Sequence, residues 1–288
     1  MLLKTDINIS IDNIKINFDT EALWILNIAL AVIMFGVALS IKLTDFKRLL
    51  QKPKLLLVGV FSQFFLLPAL TFVAILIIKP HPSFALGMMM IAACPGGNVS
   101  NFFSKMAKGN AALSVSLTAF ATVICLVMTP FNLQFYGGLY EPTNAILKTV
   151  ELNPFELFKL VLLILGIPII LGMALNHYYE KVAKKIEALL KPFSMIVFLA
   201  LISIAFYENI EIFLEHIHLV AALVIFHNIG AYIIGFYTAK GFGLDKRDQK
   251  TISMETGIQN GGLGLLLIFL FDNHLFLYDL LLYSDLTS

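Results

Sequence analysis

Ser253-Met254-Glu255-Thr256-Gly257-Ile258-Gln259-Asn260-Gly261-Gly262 places an acid, an amide pair and three glycines inside an apolar run from about Thr251 to Phe271. Hydropathy alone makes that run a membrane helix, and the polar decamer predicts that it breaks at mid-depth. A carboxylate at the centre of a bilayer costs roughly 2.5–3.5 kcal/mol on insertion scales, and every freed backbone group there needs a partner. The stretch therefore predicts a polar binding site within the membrane.

The rest of the chain supplies the membrane. Its 288 residues are 59% hydrophobic with a mean hydropathy of +0.86, well above the apolar share of about 45–50% found in soluble domains. Apolar runs that predict spans cover 22–41, 55–78, 84–106, 111–131, 155–176, 192–207, 219–239 and 251–271, with a longer loop after 131. This pattern predicts an all-α polytopic membrane protein with about eight complete crossings. Residues 1–20 alternate Ile with polar residues and are expected to form a polar extracytoplasmic arm. No apolar signal-peptide core precedes the first span.

Basic residues set the orientation. Lys42, Lys47, Arg48, Lys52 and Lys54 fall in the first loop; Lys105 and Lys108 fall in the third. Lys181, Lys184, Lys185 and Lys191 fall in the fifth, and Lys240, Lys246, Arg247 and Lys250 in the seventh. These are fifteen of the twenty basic residues, all on one side of alternating spans. The positive-inside rule makes that side cytoplasmic, so the N-terminus lies outside and the last span runs outward across the cell (inner) membrane.

A second polar interruption matches the first. Cys94-Pro95-Gly96-Gly97-Asn98-Val99-Ser100-Asn101 lies between apolar flanks, where Pro95 has no N–H and the glycines relax the backbone. Two discontinuous spans of opposite orientation, one in each half of the chain, are the signature of a transporter built from inverted repeats. At such a crossing, half-helix N-termini hold anions while side-chain and carbonyl oxygens hold cations. Ser114 and Thr118, spaced i and i+4, share one face of the next helix. Together with Glu255 and the amides they form a hard-oxygen set suited to Na⁺ rather than a transition metal. Gln63, just before Pro68, adds another polar group at membrane depth. The cysteines, Cys94 and Cys125, lie in apolar segments and predict neither a disulfide framework nor a thiolate metal site. His227 is expected to hydrogen-bond a neighbouring helix.

Cys94 to Asn101, then Gly109-Asn110-Ala111-Ala112-Leu113-Ser114-Val115-Ser116-Leu117-Thr118, and later Glu255-Thr256-Gly257-Ile258-Gln259-Asn260 resemble the signature segments of the bile acid:sodium symporter family. Ile33-Met34-Phe35-Gly36, Lys52-Pro53-Lys54, Ser62-Gln63-Phe64 and His227-Asn228 extend the resemblance over about Leu23 to Phe271. It implies a membrane transporter domain over 21–274. Within it, a core (55–131 and 219–271) carries the two crossed helices, and a panel (22–41, 155–176 and 192–207) moves against the core. It further implies one sodium site at Ser100, Asn101, Ser114, Thr118 and Glu255. A second would use Gln63, Glu255, Gln259 and backbone near Thr256 and Ile258, with substrate near Gly97, Asn98 and Asn260.

The expected function is sodium-coupled symport of organic anions, such as bile acids or smaller carboxylates, by alternating access. The expected partners are Na⁺, the anion and the lipid bilayer; neither nucleic acid nor an organic cofactor is expected. No HExxH, GxSxG or one-face Ser/His pairing points to an enzyme. Residues 275–288 are too short to span with Asp279 and Asp285 among them, whereas the resemblance implies a further helix. A truncated or atypical tail is the expectation there. The alternative function is accordingly a non-transporting sodium- or anion-binding membrane subunit, or an inactive truncated transporter.

Overall fold

Proline placement and capping residues delimit the helices. The computed structural model describes residues 31–149, 162, 166–208, 210–261 and 263–264, and every regular element among them is helical. The described part of α1 covers residues 31–38. It is followed by α2 (Leu43–Leu50), α3 (Pro53–Phe61), α4 (Leu67–Ile78), α5 (Pro82–Ala93), α6 (Asn98–Met106), α7 (Ala111–Leu139) and α8 (Glu141–Thr149). Then come α9 (Ile167–Tyr178), α10 (Glu180–Glu208), α11 (Ile210–Gly241) and α12 (Lys246–Gly257). Pro53 and Pro82 open α3 and α5, where a missing N–H costs nothing. Asn110 caps α7 by accepting from the Leu113 N–H at 3.1 Å, and Asp245 caps α12 by accepting from the Arg247 and Asp248 N–H groups at 2.8 Å.

A π-helical turn, Ser62–Leu66, joins α3 to α4 in one rod. Its cause is Pro68, whose ring would clash with the carbonyl four residues back, that of Phe64. The turn opens, and the Asn132 amide donates to the freed Phe64 carbonyl at 2.8 Å. Three helices among the described residues are long and apolar enough to cross a membrane: Pro53–Ile78, Ala111–Leu139 and Ala221–Gly241. The expected spans 22–41, 155–176 and 251–271 lie partly outside the described residues, as do the whole of the N-terminal arm and the tail.

Two segments expected as loops are helical. α7 continues to Leu139 and α8 follows, because Asn132 and Leu133 are buried in the helix packing. The basic stretch Lys181–Lys191 lies within α10, where Ala183 is buried while Lys181, Lys184 and Lys185 remain exposed. An amphipathic helical turn satisfies both requirements.

The predicted basic loops gather at one end. Lys42 Nζ contacts Glu180 Oε1 at 2.9 Å and Lys184 reaches the same oxygen at 3.1 Å. The Lys42 bond, with Lys184 adding to it, holds the exposed Glu180 carboxyl at about 2. Lys250 Nζ donates to the Ala107 carbonyl at 2.9 Å, and Asn110 Nδ2 donates to Asp248 Oδ1 at 2.8 Å. Phe46 and Phe120, with ring centroids 6.1 Å apart, fasten α2 to α7.

α1 packs on α9, where the Asn176 amide donates to the Ile41 carbonyl at 3.0 Å. One apolar core gathers Met34, Phe64, Met89, Cys125, Leu133 and Ile169; another, nearer the basic end, gathers Leu55, Val58, Leu113, Leu117 and Ile252. His227 meets Thr71 across the α4–α11 contact, with Nε2 and Oγ1 2.8 Å apart, in the interhelical role expected for it.

Candidate functional site

Both predicted helix breaks are present. α5 ends at Ala93, Cys94 is extended, and α6 begins at Asn98. α12 ends at Gly257, Ile258 is extended, and helical backbone resumes at Gly261. The two unwound segments cross and pair with each other. Gly97 N–H donates to the Ile258 carbonyl at 2.8 Å and Asn260 N–H donates to the Pro95 carbonyl at 2.9 Å, an antiparallel bridge centred on Gly96 and Gln259. In a bilayer each unmet backbone group costs several kcal/mol, so this exchange is what makes two interrupted helices tolerable side by side.

Side chains meet three further carbonyls at the breaks. Thr129 Oγ1 donates to the Ala93 carbonyl at 2.7 Å, Asn228 Nδ2 to Gly257 at 3.1 Å, and Gln259 Nε2 to Thr256 at 2.6 Å. Asn260 Oδ1 accepts from the Leu263 N–H at 3.1 Å, capping the resumed helix.

Glu255 sits beside the crossing with 0% exposure. Its Oε1 accepts from Ser100 Oγ at 2.6 Å and from Ser114 Oγ, and its Oε2 accepts from Thr118 Oγ1 at 2.8 Å. Thr118 Oγ1 also lies 3.3 Å from Asn101 Oδ1, and Ser114 Oγ lies 3.1 Å from Ser104 Oγ. α6 thus contributes Ser100, Asn101 and Ser104, α7 contributes Ser114 and Thr118 one turn apart, and α12 contributes the acid. Among the described residues no basic side chain forms an ion pair with Glu255. Each hydroxyl has one proton to donate and two lone pairs. Donation to the carboxylate therefore leaves oxygen lone pairs free for a cation in the same cluster. An all-oxygen set around a single carboxylate fits a hard monovalent ion.

On the other side of Glu255, Gln63 is fully buried and its amide is a hydrogen-bonding neighbour of the Glu255 carboxylate. Gln259 Oε1 is buried without a hydrogen-bond partner among the described residues. A Cβ built at Gly96 would lie 2.8 Å from both the Glu255 carbonyl and Oε2, and 3.0 Å from Gln63 Nε2, so acid and amide converge on this glycine. An unsatisfied buried amide oxygen costs about 1–3 kcal/mol, which makes Gln259 Oε1 a candidate ligand for an ion.

All the residues predicted for the first sodium site come together: Ser100, Asn101, Ser114, Thr118 and Glu255. Of the second set, Gln63 lies near Glu255, while the Thr256 and Ile258 carbonyls already accept from Gln259 Nε2 and Gly97 N–H, each with a lone pair left. For the predicted substrate residues, the Gly97 N–H and the Asn260 side chain are engaged in the crossing itself, and the Asn98 side chain lies outside the described set. Sequence reasoning missed Ser62, whose Oγ lies 2.9 Å from Thr256 Oγ1, and the three side chains that satisfy freed carbonyls, Thr129, Asn132 and Asn228. It also missed Ser104, although the i, i+4 spacing from Ser100 would have found it.

Ser114→Ala removes one charge-assisted hydrogen bond, worth about 1.5–3 kcal/mol, and one candidate ligand oxygen. Its expected result is a rise of about tenfold or more in the sodium concentration needed for half-maximal binding, read by titrating sodium against thermal stability. An unchanged midpoint would remove Ser114 from the site.

The chain is similar to known proteins. A family model described as the Sodium Bile acid symporter family matches residues 27–216, a stretch that contains the first break. The chain is 34% identical over 252 residues to an uncharacterized sodium-dependent transporter of Bacillus subtilis, an alignment covering 86% of this chain and 75% of that protein. It is 29% identical over 241 residues to a probable chloroplastic sodium/metabolite cotransporter of Arabidopsis thaliana, covering 83% of this chain and 58% of that one. With the human ileal sodium/bile acid cotransporter it shares 27% identity over 238 residues, covering 82% and 66% respectively. These relatives are named as transporters and cotransporters, not enzymes. By its family match and these relatives, the chain belongs to the sodium bile acid symporter family.

Proposed function

We propose that this chain is a sodium-coupled symporter of organic anions that works by alternating access in the cell membrane, with its basic loops cytoplasmic and its N-terminus outside. The observation that carries the reading is Glu255, fully buried where two broken helices cross, held by hydroxyls from α6 and α7 rather than by a basic partner. A structural acid in hydrocarbon would be paired; an acid surrounded by oxygens is arranged for an exchangeable cation. In this reading Ser100, Asn101, Ser114, Thr118 and Glu255 hold one sodium ion. Gln63, Gln259 and the Thr256 and Ile258 backbone hold a second on the opposite side of the same acid.

The substrate reading draws on the relatives, whose names specify bile acid or metabolite cotransport with sodium. Bile acids and smaller carboxylates are the proposed class, bound near Gly97, Asn98 and Asn260. The core and panel boundaries, eight crossings and inverted repeat set out above complete the proposal. Two sodium ions carried with one monoanion move one net charge, and about 2.3 kcal/mol per 100 mV then supports about fifty-fold accumulation before the sodium gradient adds its share.

The test is uptake of labelled cholate and of a labelled short-chain carboxylate into proteoliposomes. An inward sodium gradient is expected to drive uptake at least about fivefold above a potassium gradient of the same size, about 1 kcal/mol of coupling. Equal uptake in sodium and potassium would overturn the symporter. Sodium-dependent stabilisation with no uptake would favour the non-transporting binding subunit.

A further inference from the structure

α7 and α12 both start at the basic end, and Asn110 ties them together one turn before the Glu255 cluster. Its N–H donates to Thr251 Oγ1 at 2.7 Å, and its Nδ2 donates to Asp248 Oδ1 at 2.8 Å. Its Oδ1 meanwhile accepts from the Leu113 N–H at 3.1 Å, so one residue caps α7 and grips α12. Four residues further along each helix, Ser114 Oγ meets Glu255 Oε1. The step from Asn110 to Ser114 equals the step from Thr251 to Glu255, about 6 Å of rise in each helix, so the two contacts share one register.

The lower contact is built for close approach. Asp248, Thr251 and Glu255, spaced i, i+3 and i+7, lie on one face of α12 at 8%, 0% and 0% exposure. Facing Thr251 is Gly109, where a Cβ would lie 2.7 Å from Thr251 Oγ1 and 3.0 Å from the Ser104 carbonyl. The left-handed residue that closes α6 is instead Lys108, at φ 58°. Glycine adopts that conformation most readily, yet here it stands one position later, against α12. Packing on Thr251, rather than the turn, is what requires it. Ser104, whose carbonyl accepts from the Gly109 N–H at 2.8 Å, also places its hydroxyl 3.1 Å from Ser114 Oγ, which links this turn to the oxygen cluster.

We propose that Asn110, Thr251 and Asp248 form a positioning latch that fixes the register of α12 on α7 and thereby makes the Glu255 oxygen set selective for sodium over potassium. The inference rests on the reading of Glu255 as a cation ligand and names what tunes that site. Ser114 and Thr118 ride on α7 and the carboxylate rides on α12, so the gap between them follows the axial register of the two helices. A preorganised site holds its ligands within about 0.5 Å, one third of the roughly 1.5 Å rise of a single residue. A slack latch lets α12 slide by that much, and an oxygen cage free to widen no longer rejects the larger cation. The latch residues act through Ser114, Thr118 and Glu255 and hold no ion themselves.

The experiment uses the full chain purified in detergent, with bound ²²Na⁺ displaced by unlabelled sodium or by potassium, and reads the ratio of the two half-displacing concentrations. Thr251→Val keeps the side chain's shape and removes the acceptor for Asn110 N–H, and its expected effect is a fall of about fivefold in the preference for sodium. Asn110→Ser still caps α7 but loses the bond to Asp248, with an expected fall of about threefold. Asp248→Asn keeps an oxygen for Asn110 Nδ2 and is expected to hold the wild-type ratio. A wild-type ratio in both Thr251→Val and Asn110→Ser, even with weaker binding of both cations, would mean a merely structural contact and overturn the latch. So would an Asp248→Asn ratio as low as that of Asn110→Ser. Should Asn110→Ser elute as aggregate, Thr251→Val decides alone: a lowered ratio supports the latch and a wild-type ratio overturns it. The parent reading fails differently, through wild-type chain that holds no ²²Na⁺ or a Glu255→Gln variant that holds as much as wild type.

Discussion

Glu255→Gln is expected to abolish sodium binding and sodium-dependent uptake, and at the same time to raise the stability of the sodium-free protein. The two effects have opposite signs for one reason. Buried carboxylate without a counter-charge carries a desolvation penalty of several kcal/mol, and the hydroxyls of Ser100, Ser114 and Thr118 offset it only in part. A neutral amide of the same shape removes that penalty. It also removes the one full negative charge that the cluster offers a cation. Loss of at least about 100-fold in sodium affinity, about 2.7 kcal/mol, is the expected size. Because a ligand at 100 times its Kd stabilises by about 2.7 kcal/mol, the measurement is the thermal midpoint with and without sodium. Wild type should shift upward on adding sodium, while the variant should start higher and not shift. A variant that still gains stability from sodium would remove Glu255 from the site.

Gly96→Ala is expected to be nearly as damaging, although it adds a single methyl group. The new Cβ would stand 2.8 Å from the Glu255 carbonyl oxygen and Oε2, and 3.0 Å from Gln63 Nε2. Backbone oxygen cannot swing aside as a flexible side chain does. Relief requires the two unwound segments to separate, which weakens the Gly97–Ile258 and Asn260–Pro95 hydrogen bonds. Overpacking of this kind costs about 1–3 kcal/mol, and loss of the paired backbone in hydrocarbon adds to it. Gly97→Ala, whose Cβ would approach the Gln259 carbonyl at 3.0 Å, should be milder. Gly138→Ala is the control, since a Cβ there meets nothing within 4 Å and the residue lies inside α7. Helix propensity makes that change neutral or stabilising by up to about 1 kcal/mol. The measurement is the folded yield and thermal midpoint of the three variants. Equal midpoints for Gly96→Ala and Gly138→Ala would show that the crossing does not need its close approach.

Composition, the placement of Pro95, Gly96, Gly97 and Gly257, and the i, i+4 pair Ser114 and Thr118 are local facts, and they led directly to two broken helices with an oxygen-rich site. Where the sequence misled, the reason is also local. Asn132 and Gln134 after an apolar run resemble a loop, and only the Phe64 carbonyl beyond them shows why Asn132 is buried in a helix. A lysine-rich stretch such as Lys181–Lys191 resembles a loop until Ala183 is seen packed inside a helical turn.

By itself, the sequence determined the membrane class and the helix breaks, because hydropathy, proline and glycine act on neighbours along the chain, while the expected set around Glu255 came from the family resemblance. Only the tertiary structure decided how the breaks satisfy each other. Ser100 and Glu255 are 155 positions apart, and Ser62 and Thr256 are 194 apart. Partners so distant leave no periodic trace in a single chain. The pairing of Gly97 with Ile258 and the use of the Asn260 side chain as a helix cap exist only because packed helices bring those backbones together.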